Sequence, residues 1–177
     1  MQLGNSPDPE SQAALVKELG ELQTLPDLLL YLLDAISNIE LPLRDRFNAS
    51  GLMRHYIPSL NAPPEVTKIL KSQLSEVLIP LLSVYNQDEL SMQFSFSIAA
   101  LIAVAALNYG IDIFGSNFDQ IIANLLNPTN DPNIIFTALN LIQDLLYGDY
   151  LINPEILVCF QPLIEMDEYL ACKILEV

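Results

Sequence analysis

Residue types that could support catalysis are few in this chain, and none stands in a catalytic arrangement. The single histidine, His55, lies in an Arg-His-Tyr run, whereas nucleophilic catalysis needs a base paired with a nucleophile. The carboxylate pairs Asp88-Glu89 and Asp167-Glu168 stand where helices are expected to begin, and there they stabilise the helix dipole. The six glycines stand singly, so they form no phosphate-cradling loop. We therefore predict that the protein is not an enzyme.

Metal and cofactor sites are not indicated either. The two cysteines, Cys159 and Cys172, form no C-x-x-C pair, and His55 lies far from both in sequence. We predict buried, reduced thiols, no metal ion and no cofactor. The amino terminus carries no signal-peptide pattern, so we expect a cytoplasmic or nuclear protein.

The charge distribution limits the class of partner. The chain has 22 acidic and 7 basic residues, a formal charge of -15, and no lysine or arginine between Lys71 and Lys173. Binding to nucleic acid or to anionic lipid depends on basic side chains, so direct contact with either is not expected. A basic polypeptide segment would be attracted. Alternatively, the acidic side chains serve only to keep an apolar helical protein in solution.

One segment raises the question of a membrane span. Residues 90–111 carry no charge and are long enough to cross a bilayer core of roughly 30 Å. Polar residues interrupt the run, among them Gln93 and Asn108, and both flanks are acidic without a lysine or arginine to set an orientation. We predict a buried helix and no membrane span.

Helix signals recur along the chain, and alternating strand patterns are absent, so we predict an all-α protein. Residues 1–9 read as a disordered tail, and residues 10–177 as a single helical domain. Within it, residues 38–62 are the least regular, with short helices expected around Leu43–Phe47 and Ser50–Tyr56. A first helix is expected over residues 10–19. These segments precede a more regular part.

The regular part begins with a helix that opens at Pro63-Pro64. It either bends at Pro80 or consists of two helices that meet near Ser72. From residue 76 onward, three repeat-like units follow, over residues 76–110, 117–148 and 153–177.

In the first two units, a leucine-rich segment leads through a polar turn into a long helix, over residues 90–107 and 133–147. Matching Leu82, Leu126 and Ile164 gives spacings of about 44 and about 38 residues, close to those of stacked helical pairs or triplets.

These units resemble the armadillo and HEAT superfamily. The likeness consists of a leucine pair, a short Asn/Asp/Pro turn and a long helix with an early small residue, such as Ala138, Ala171, and Ser95 or Ser97. It covers residues 76–177. The resemblance implies a right-handed stack of helical hairpins or triplets that serves as an interaction scaffold without catalysis.

Peptide-binding armadillo proteins carry a ladder of asparagines on the helix that lines their groove. The matching positions here are Asp144 in one unit and an alanine, near Ala103 or Ala106, in the preceding one, so the ladder is absent. By this resemblance, Gln143 and Asp144 could still contact a partner backbone or a basic side chain.

Aromatic residues supply further candidate contacts. Phe94 and Phe96 stand two apart on one helix and so point about 200° away from each other. Both are buried only if that helix is covered on opposite sides, either by a neighbouring repeat or by a partner. Tyr147 and Tyr150 flank a helix stop at Gly148, where they either contact a partner or pack internally.

We expect a non-catalytic adaptor that binds another polypeptide, either a helix or a basic segment, within a larger assembly. One alternative is a self-associating helical bundle that forms a homodimer. A further alternative is an apolar-ligand carrier in which the helix over residues 90–107 lines a cavity.

Overall fold

A computed structural model describes residue 25, residues 27–59, 62–83 and 88–148, residue 151, and residues 153–166 and 168–176. Every regular element in these ranges is helical, which confirms the predicted all-α class. The expected tail over residues 1–9, the helix expected over residues 10–19, and Tyr150 lie outside the described residues.

The helix bounds follow the chain in order. The helices are α1 (Leu28–Ser37), α2 (Leu43–Tyr56), α3 (Pro64–Leu81), α4 (Glu89–Tyr109), α5 (Phe118–Leu125), α6 (Pro132–Tyr147), α7 (Pro154–Val158), α8 (Phe160–Met166) and α9 (Glu168–Glu176). A short 3-10 helix, Ile111–Phe114, lies between α4 and α5.

The two long helices predicted over residues 90–107 and 133–147 are present, and their ends have clear local causes. The Asp88 side chain accepts a hydrogen bond from the Ser91 backbone N–H at the start of α4. Gly110, with φ of 93°, ends the same helix in a backbone conformation that other residues rarely adopt. The Asp131 side chain caps α6 by accepting from the Asn133 backbone N–H, and Pro132 occupies the first turn of this helix.

The break predicted within α2 is wrong. Helix α2 runs without interruption through Gly51, although the sequence favoured two short helices there. An interior glycine costs only about 1 kcal/mol relative to alanine, and the buried stripe of Ala49, Met53 and Tyr56 on α2 outweighs that cost.

Of the two alternatives for the helix that opens at Pro63-Pro64, two helices that meet near Ser72 are excluded, because α3 passes through Ser72 as one helix and meets Pro80 only in its last turn. Its apolar stripe of Leu70, Leu74 and Leu78 is fully buried. It therefore includes residues 76–81, which the sequence had assigned to the first helix of a repeat unit.

Helix α4 is the centre of the packing. It lies between α2 and α6 and also contacts α3 and the 3-10 helix. On one side of the molecule α1 packs against α2 and α3, and on the other side α9 packs against α6 and α8. Helix α5 contacts α6 and α7.

Helices α2, α4 and α6 run in the same direction. Arg46 of α2 lies over Phe94, and Ser50, one turn later, contacts Ser97 one turn further along α4. Between α4 and α6, residues near both helix starts border one groove, and Leu107 near the end of α4 contacts Gly148 at the end of α6. We call these three helices the parallel layer.

Small and polar residues are buried where the helices of the parallel layer meet. Ser95, Ser97 and Ala138 are all buried, whereas Ala171 on α9 is only partly so. Short side chains at such places permit the close approach of neighbouring helices. Among the small residues singled out in the first two units, Ser97 marks a helix contact, because its hydroxyl meets that of Ser50 on α2.

Helix α4 is, within the part of the chain that the structure describes, the one helix long and apolar enough to cross a bilayer. Neighbouring helices bury 61% of its most apolar window. This buried share is typical of a central core helix. The absence of a membrane span stays a prediction.

Candidate functional site

Phe94 and Phe96 lie on opposite sides of α4 and have different environments. Phe94 is 1% exposed, and the guanidinium carbon of Arg46 lies 5.1 Å from the centroid of its ring. Arg46 also donates a hydrogen bond from Nε to the Ile36 carbonyl oxygen at 2.8 Å, and burial lowers the pKa of its guanidinium. Phe94 therefore belongs to the core and lies out of reach of a partner.

Phe96 faces the opposite side and is only partly buried. Its ring borders two adjoining grooves that are open to solvent, which we call the first and second Phe96 grooves. The first groove, of about 770 Å³, lies between α2 and α4 and is lined by Phe47, Asn48, Gly51, Leu52, Arg54, Gln93, Phe96 and Ser97. The second groove, of about 420 Å³, lies between α4, α6 and α9 and is lined by Met92, Phe96, Asn133, Phe136, Asn140, Cys172 and Lys173.

The first groove has a rigid polar base. The Ser97 hydroxyl oxygen lies 2.6 Å from that of Ser50, which in turn donates to the Phe47 carbonyl oxygen at 2.7 Å. Because the Ser50 proton is engaged there, the Ser97 hydroxyl is the donor to Ser50. This chain of bonds links α2 to α4 beside the first groove, which Ser97 and Phe96 both line.

Helix α6 presents a single stripe toward the second groove. Asn133, Phe136 and Asn140 stand at intervals of three and four residues, and Gln143 continues the same face. The sequence analysis missed Asn133 and Asn140, although their spacing of two helical turns was a readable signal. Amide side chains can both donate to and accept from a polypeptide backbone.

Gln143 and Asp144 lie next to the second groove and meet a residue from α9. The Lys173 ammonium donates to the Gln143 side-chain oxygen at 2.7 Å. Asp144 is partly buried, and this burial raises the pKa of its carboxyl, while the positive charges of Arg54 and Lys173 act in the opposite direction. Residues from α2, α6 and α9 therefore share one electrostatic environment.

Tyr147 ends α6 and is 78% exposed, so it does not pack internally. The next residue, Gly148, adjoins Leu107, and a Cβ added to Gly148 would overlap the Leu107 side chain. Tyr150, the other tyrosine at this helix stop, lies outside the described residues.

The remaining candidates for chemistry stay apart from these grooves or from one another. His55 is exposed and contacts Tyr56 edge-on, with ring centroids 5.2 Å apart. Within the described ranges, no three His, Cys, Asp or Glu residues converge as a metal site would require. Cys172 is exposed in the second groove and Cys159 is partly buried, so the prediction of buried thiols is wrong for Cys172, because α9 turns it outward.

No protein-family model matches the chain, and no curated protein matches it in sequence. The armadillo and HEAT likeness therefore stays a resemblance carried by the residues named above.

Proposed function

We propose that this protein is a non-catalytic scaffold that binds a segment of another polypeptide along the Phe96 grooves, within a larger assembly in the cytoplasm or nucleus. The observation that carries the proposal is the position of Phe96. One side of α4 is sealed in the core by Phe94, and the other side presents an aromatic ring between two adjoining grooves. A central aromatic side chain flanked by recesses is the usual form of a binding anchor.

The parallel layer supports the solenoid part of the proposal. Stacked helical pairs place the second helix of each unit beside its counterpart in the next, and all of these helices run in one direction. The contacts between α2, α4 and α6 follow this rule. We infer a right-handed stack of the armadillo or HEAT type, in which the parallel layer forms the binding face.

The composition of the lining suits a polypeptide. Phe47, Leu52, Met92 and Phe136 supply apolar contact area, and the four amide side chains of Asn48, Gln93, Asn133 and Asn140 supply hydrogen-bonding groups. Neighbouring helix axes lie about 8–10 Å apart, so a ligand that crosses from α2 to α9 spans on the order of 25 Å. That span accommodates an extended segment of about seven or eight residues, or a short helix.

The proposal also includes the predicted absence of a metal, of a cofactor and of direct contact with nucleic acid. A scaffold of this kind needs no metal or cofactor, and its acidic surface disfavours direct contact with nucleic acid. An apolar-ligand carrier is less well supported, because the grooves beside α4 open to solvent, and such carriers enclose their ligand.

A homodimer is the second candidate, and a separate surface favours it. Helices α7 to α9 expose large apolar side chains, namely Leu157, Val158, Ile164, Met166 and Leu175. Leu175 is 85% exposed. Exposed apolar side chains of this kind can pair two copies of the chain where they form a patch.

The test compares Phe96→Glu with Tyr31→Glu, a matched substitution at an exposed aromatic residue on α1 that lies outside both grooves. Quantitative affinity capture from the native extract, with crosslinking, should recover a partner on the wild type and on Tyr31→Glu, and lose it on Phe96→Glu. Circular dichroism checks that each variant keeps its helical fold.

Two results would overturn the scaffold proposal. One is a set of captured proteins that does not change with Phe96→Glu. The other is a tight dimer in light scattering that Leu175→Glu dissociates and Phe96→Glu leaves intact, which would establish the homodimer instead.

A further inference from the structure

Gly51 is a glycine that the described part of the fold does not require. It lies in the interior of α2, lines the first Phe96 groove and is partly exposed. Among the described glycines, only Gly110 and Gly115 have a positive φ. A Cβ built on Gly51 meets no atom within 4 Å. Within the described ranges, neither backbone conformation nor packing therefore demands glycine at this position.

The other three glycines in the described ranges each have a visible reason. Gly110 and Gly115 have φ of 93° and 89°, which other residues rarely adopt, and a Cβ at Gly148 would overlap the Leu107 side chain. Gly51, in contrast, lowers the stability of its own helix, because alanine would fit there and is the better helix former. In a candidate binding site, a residue that the fold itself disfavours is typical of a requirement set by the ligand.

The surroundings of Gly51 give the first groove its shape. Phe47 and Leu52 on α2 and Phe96 on α4 line the same groove of about 770 Å³. Ser97, which also lines it, is buried and short. Gly51 is therefore a place where a ligand can approach the α2 backbone between larger apolar side chains.

Hydrogen bonding at the base of this groove decides which form of polypeptide fits. The backbone around Gly51 is bonded within the continuous helix α2. The Ser97 hydroxyl donates to Ser50, and the Ser50 hydroxyl donates to the Phe47 carbonyl oxygen. An extended segment pressed onto this base would bury N–H groups without acceptors, which costs free energy. An α-helix satisfies its own backbone groups and avoids that cost.

The charge of the chain decides between a second copy and a different polypeptide. Two copies would each carry a charge of -15, so long-range repulsion opposes their association, whereas a basic polypeptide is attracted. Among the described residues that line the first groove, only Arg54 is charged, so the contact face of the ligand is apolar. Basic residues belong at its edges, where the exposed Glu89 carboxylate accepts from Gln93 at 3.1 Å.

We propose that Gly51 determines the specificity of the first Phe96 groove, and that the ligand is an amphipathic helix of a basic polypeptide that places a glycine, alanine or serine against Gly51. This inference rests on the proposed scaffold function and specifies its ligand. Without a side chain at Gly51, the two helix axes approach more closely than the usual distance of about 8–10 Å. Larger apolar residues beside the small one then reach Phe47 and Phe96. A methyl group on residue 51 would hold the ligand away from them.

The experiment selects binders from a random-peptide display library on the wild-type protein and removes those that still bind Phe96→Glu. The remaining peptides should carry apolar residues at spacings of three and four around a glycine, alanine or serine, with lysine or arginine elsewhere. Circular dichroism should show that they become helical on binding. Their affinity, measured by fluorescence anisotropy, should fall about tenfold on Gly51→Ala and further on Gly51→Leu.

Stability provides the control for the effect of Gly51→Ala. This variant should unfold at a higher urea concentration than the wild type, because alanine favours the helix and meets no neighbour. A loss of affinity together with a gain in stability excludes damage to the fold. Ser72→Ala, at an exposed serine of α3 outside both grooves, should leave the affinity unchanged.

A second measurement tests the contact directly. Gly51→Cys, in a background with Cys159 and Cys172 replaced by serine, should form a disulfide with a selected peptide whose small residue is replaced by cysteine. Such a bond requires Cα atoms about 4.4–6.8 Å apart, which only close approach of the two helices provides. Ser72→Cys in the same background should form none.

The outcomes separate this inference from the proposed function. Peptides that depend on Phe96 but bind Gly51→Ala as tightly as the wild type, or that bind in an extended form, would refute the inference and leave the scaffold in place. A Gly51→Ala protein less stable than the wild type would refute it as well. The absence of any Phe96-dependent binder would overturn the scaffold itself. A dimer of the protein alone that Phe96→Glu and Gly51→Ala both dissociate would assign the groove to a second copy and also refute the inference.

Discussion

The hydroxyl of Ser97 on α4 donates to the hydroxyl of Ser50 on α2 across 2.6 Å in the protein interior. The Ser50 hydroxyl in turn donates to the Phe47 carbonyl oxygen, so the three residues form one directed chain of hydrogen bonds. Buried hydroxyl pairs of this kind fix the position of two helices because only a short side chain fits on each.

Substitution of Ser97 should separate the hydrogen bond from the close approach. Ser97→Ala removes one bond and should lower the free energy of unfolding by about 1 kcal/mol. Ser97→Leu forces α2 and α4 apart and should cost about 1–3 kcal/mol more. Urea denaturation measures both, with Ser72→Ala, an exposed serine of α3, as the control. Equal losses for the alanine and leucine variants would show that the two helices are not tightly packed there.

Arg46 should be important for stability although it is charged. Its Nε satisfies the Ile36 carbonyl near the end of α1, and its guanidinium covers Phe94. Arg46→Ala should destabilise the protein by about 2–3 kcal/mol, because both contacts are lost and the carbonyl stays buried. Arg44→Ala, an exposed arginine on the same helix, should change stability by less than about 0.5 kcal/mol. Similar thermal midpoints for the two variants would contradict the assigned role of Arg46.

Gly148 and Leu107 should show strong energetic coupling. A Cβ at Gly148 overlaps the Leu107 side chain, which is 47% exposed and must turn aside, so Gly148→Ala should cost about 0.5–1.5 kcal/mol. Leu107→Ala frees the space, and the double variant should be more stable than the sum of the single effects predicts, by about 1 kcal/mol. A double-mutant cycle, with each free energy of unfolding measured in urea, gives this coupling energy. Strict additivity would place the end of α6 away from α4.

Two aspartates should change the pH dependence of stability in opposite directions. Hydrogen bonds from the Ser91 hydroxyl and then from the Ser91 backbone N–H lower the pKa of Asp88 below its ordinary value of 3.8. This stabilisation is present above the unfolded-state pKa and is lost as the pH falls through the folded-state pKa. Asp88→Asn should therefore be less stable than the wild type at neutral pH, and the difference should vanish in acid.

The contribution of Asp144 to stability should change with pH in the opposite direction. Burial raises the pKa of its carboxyl, against the attraction of Arg54 and Lys173. Its contribution to stability is thus fully present below the unfolded-state pKa and is lost as the pH rises through the folded-state pKa. Asp144→Asn should be more stable than the wild type at neutral pH and equal to it in acid. Unfolding curves across this range test both substitutions, and the same sign for both would refute the assignment.

The sequence predicted best the helices that have a capping residue at the start and a glycine stop at the end. Asp88 and Gly110 bound α4, and Asp131 and Gly148 bound α6, because caps and stops act through the local backbone. Gly51 misled the prediction of α2, since a lone glycine reads as a break until the helix that covers it is known. Long-range packing of α2 against α1 and α4 decided that case.

The candidate site was predicted only in part. The two-residue spacing of Phe94 and Phe96 required opposite faces, but which ring is buried depends on residues distant in sequence, such as Arg46, which covers Phe94. Asn140 and Lys173 were missed because the grooves combine side chains from four helices, and one helix alone does not reveal such a surface.

The ring of Phe96 borders both grooves, and a side chain adopts one rotamer at a time. Two short ligands would therefore not occupy the recesses independently, because the first to arrive selects the ring orientation for the second. A single long ligand meets that conformational cost once. If the proposed scaffold function holds, this shared ring favours one ligand molecule per protein molecule.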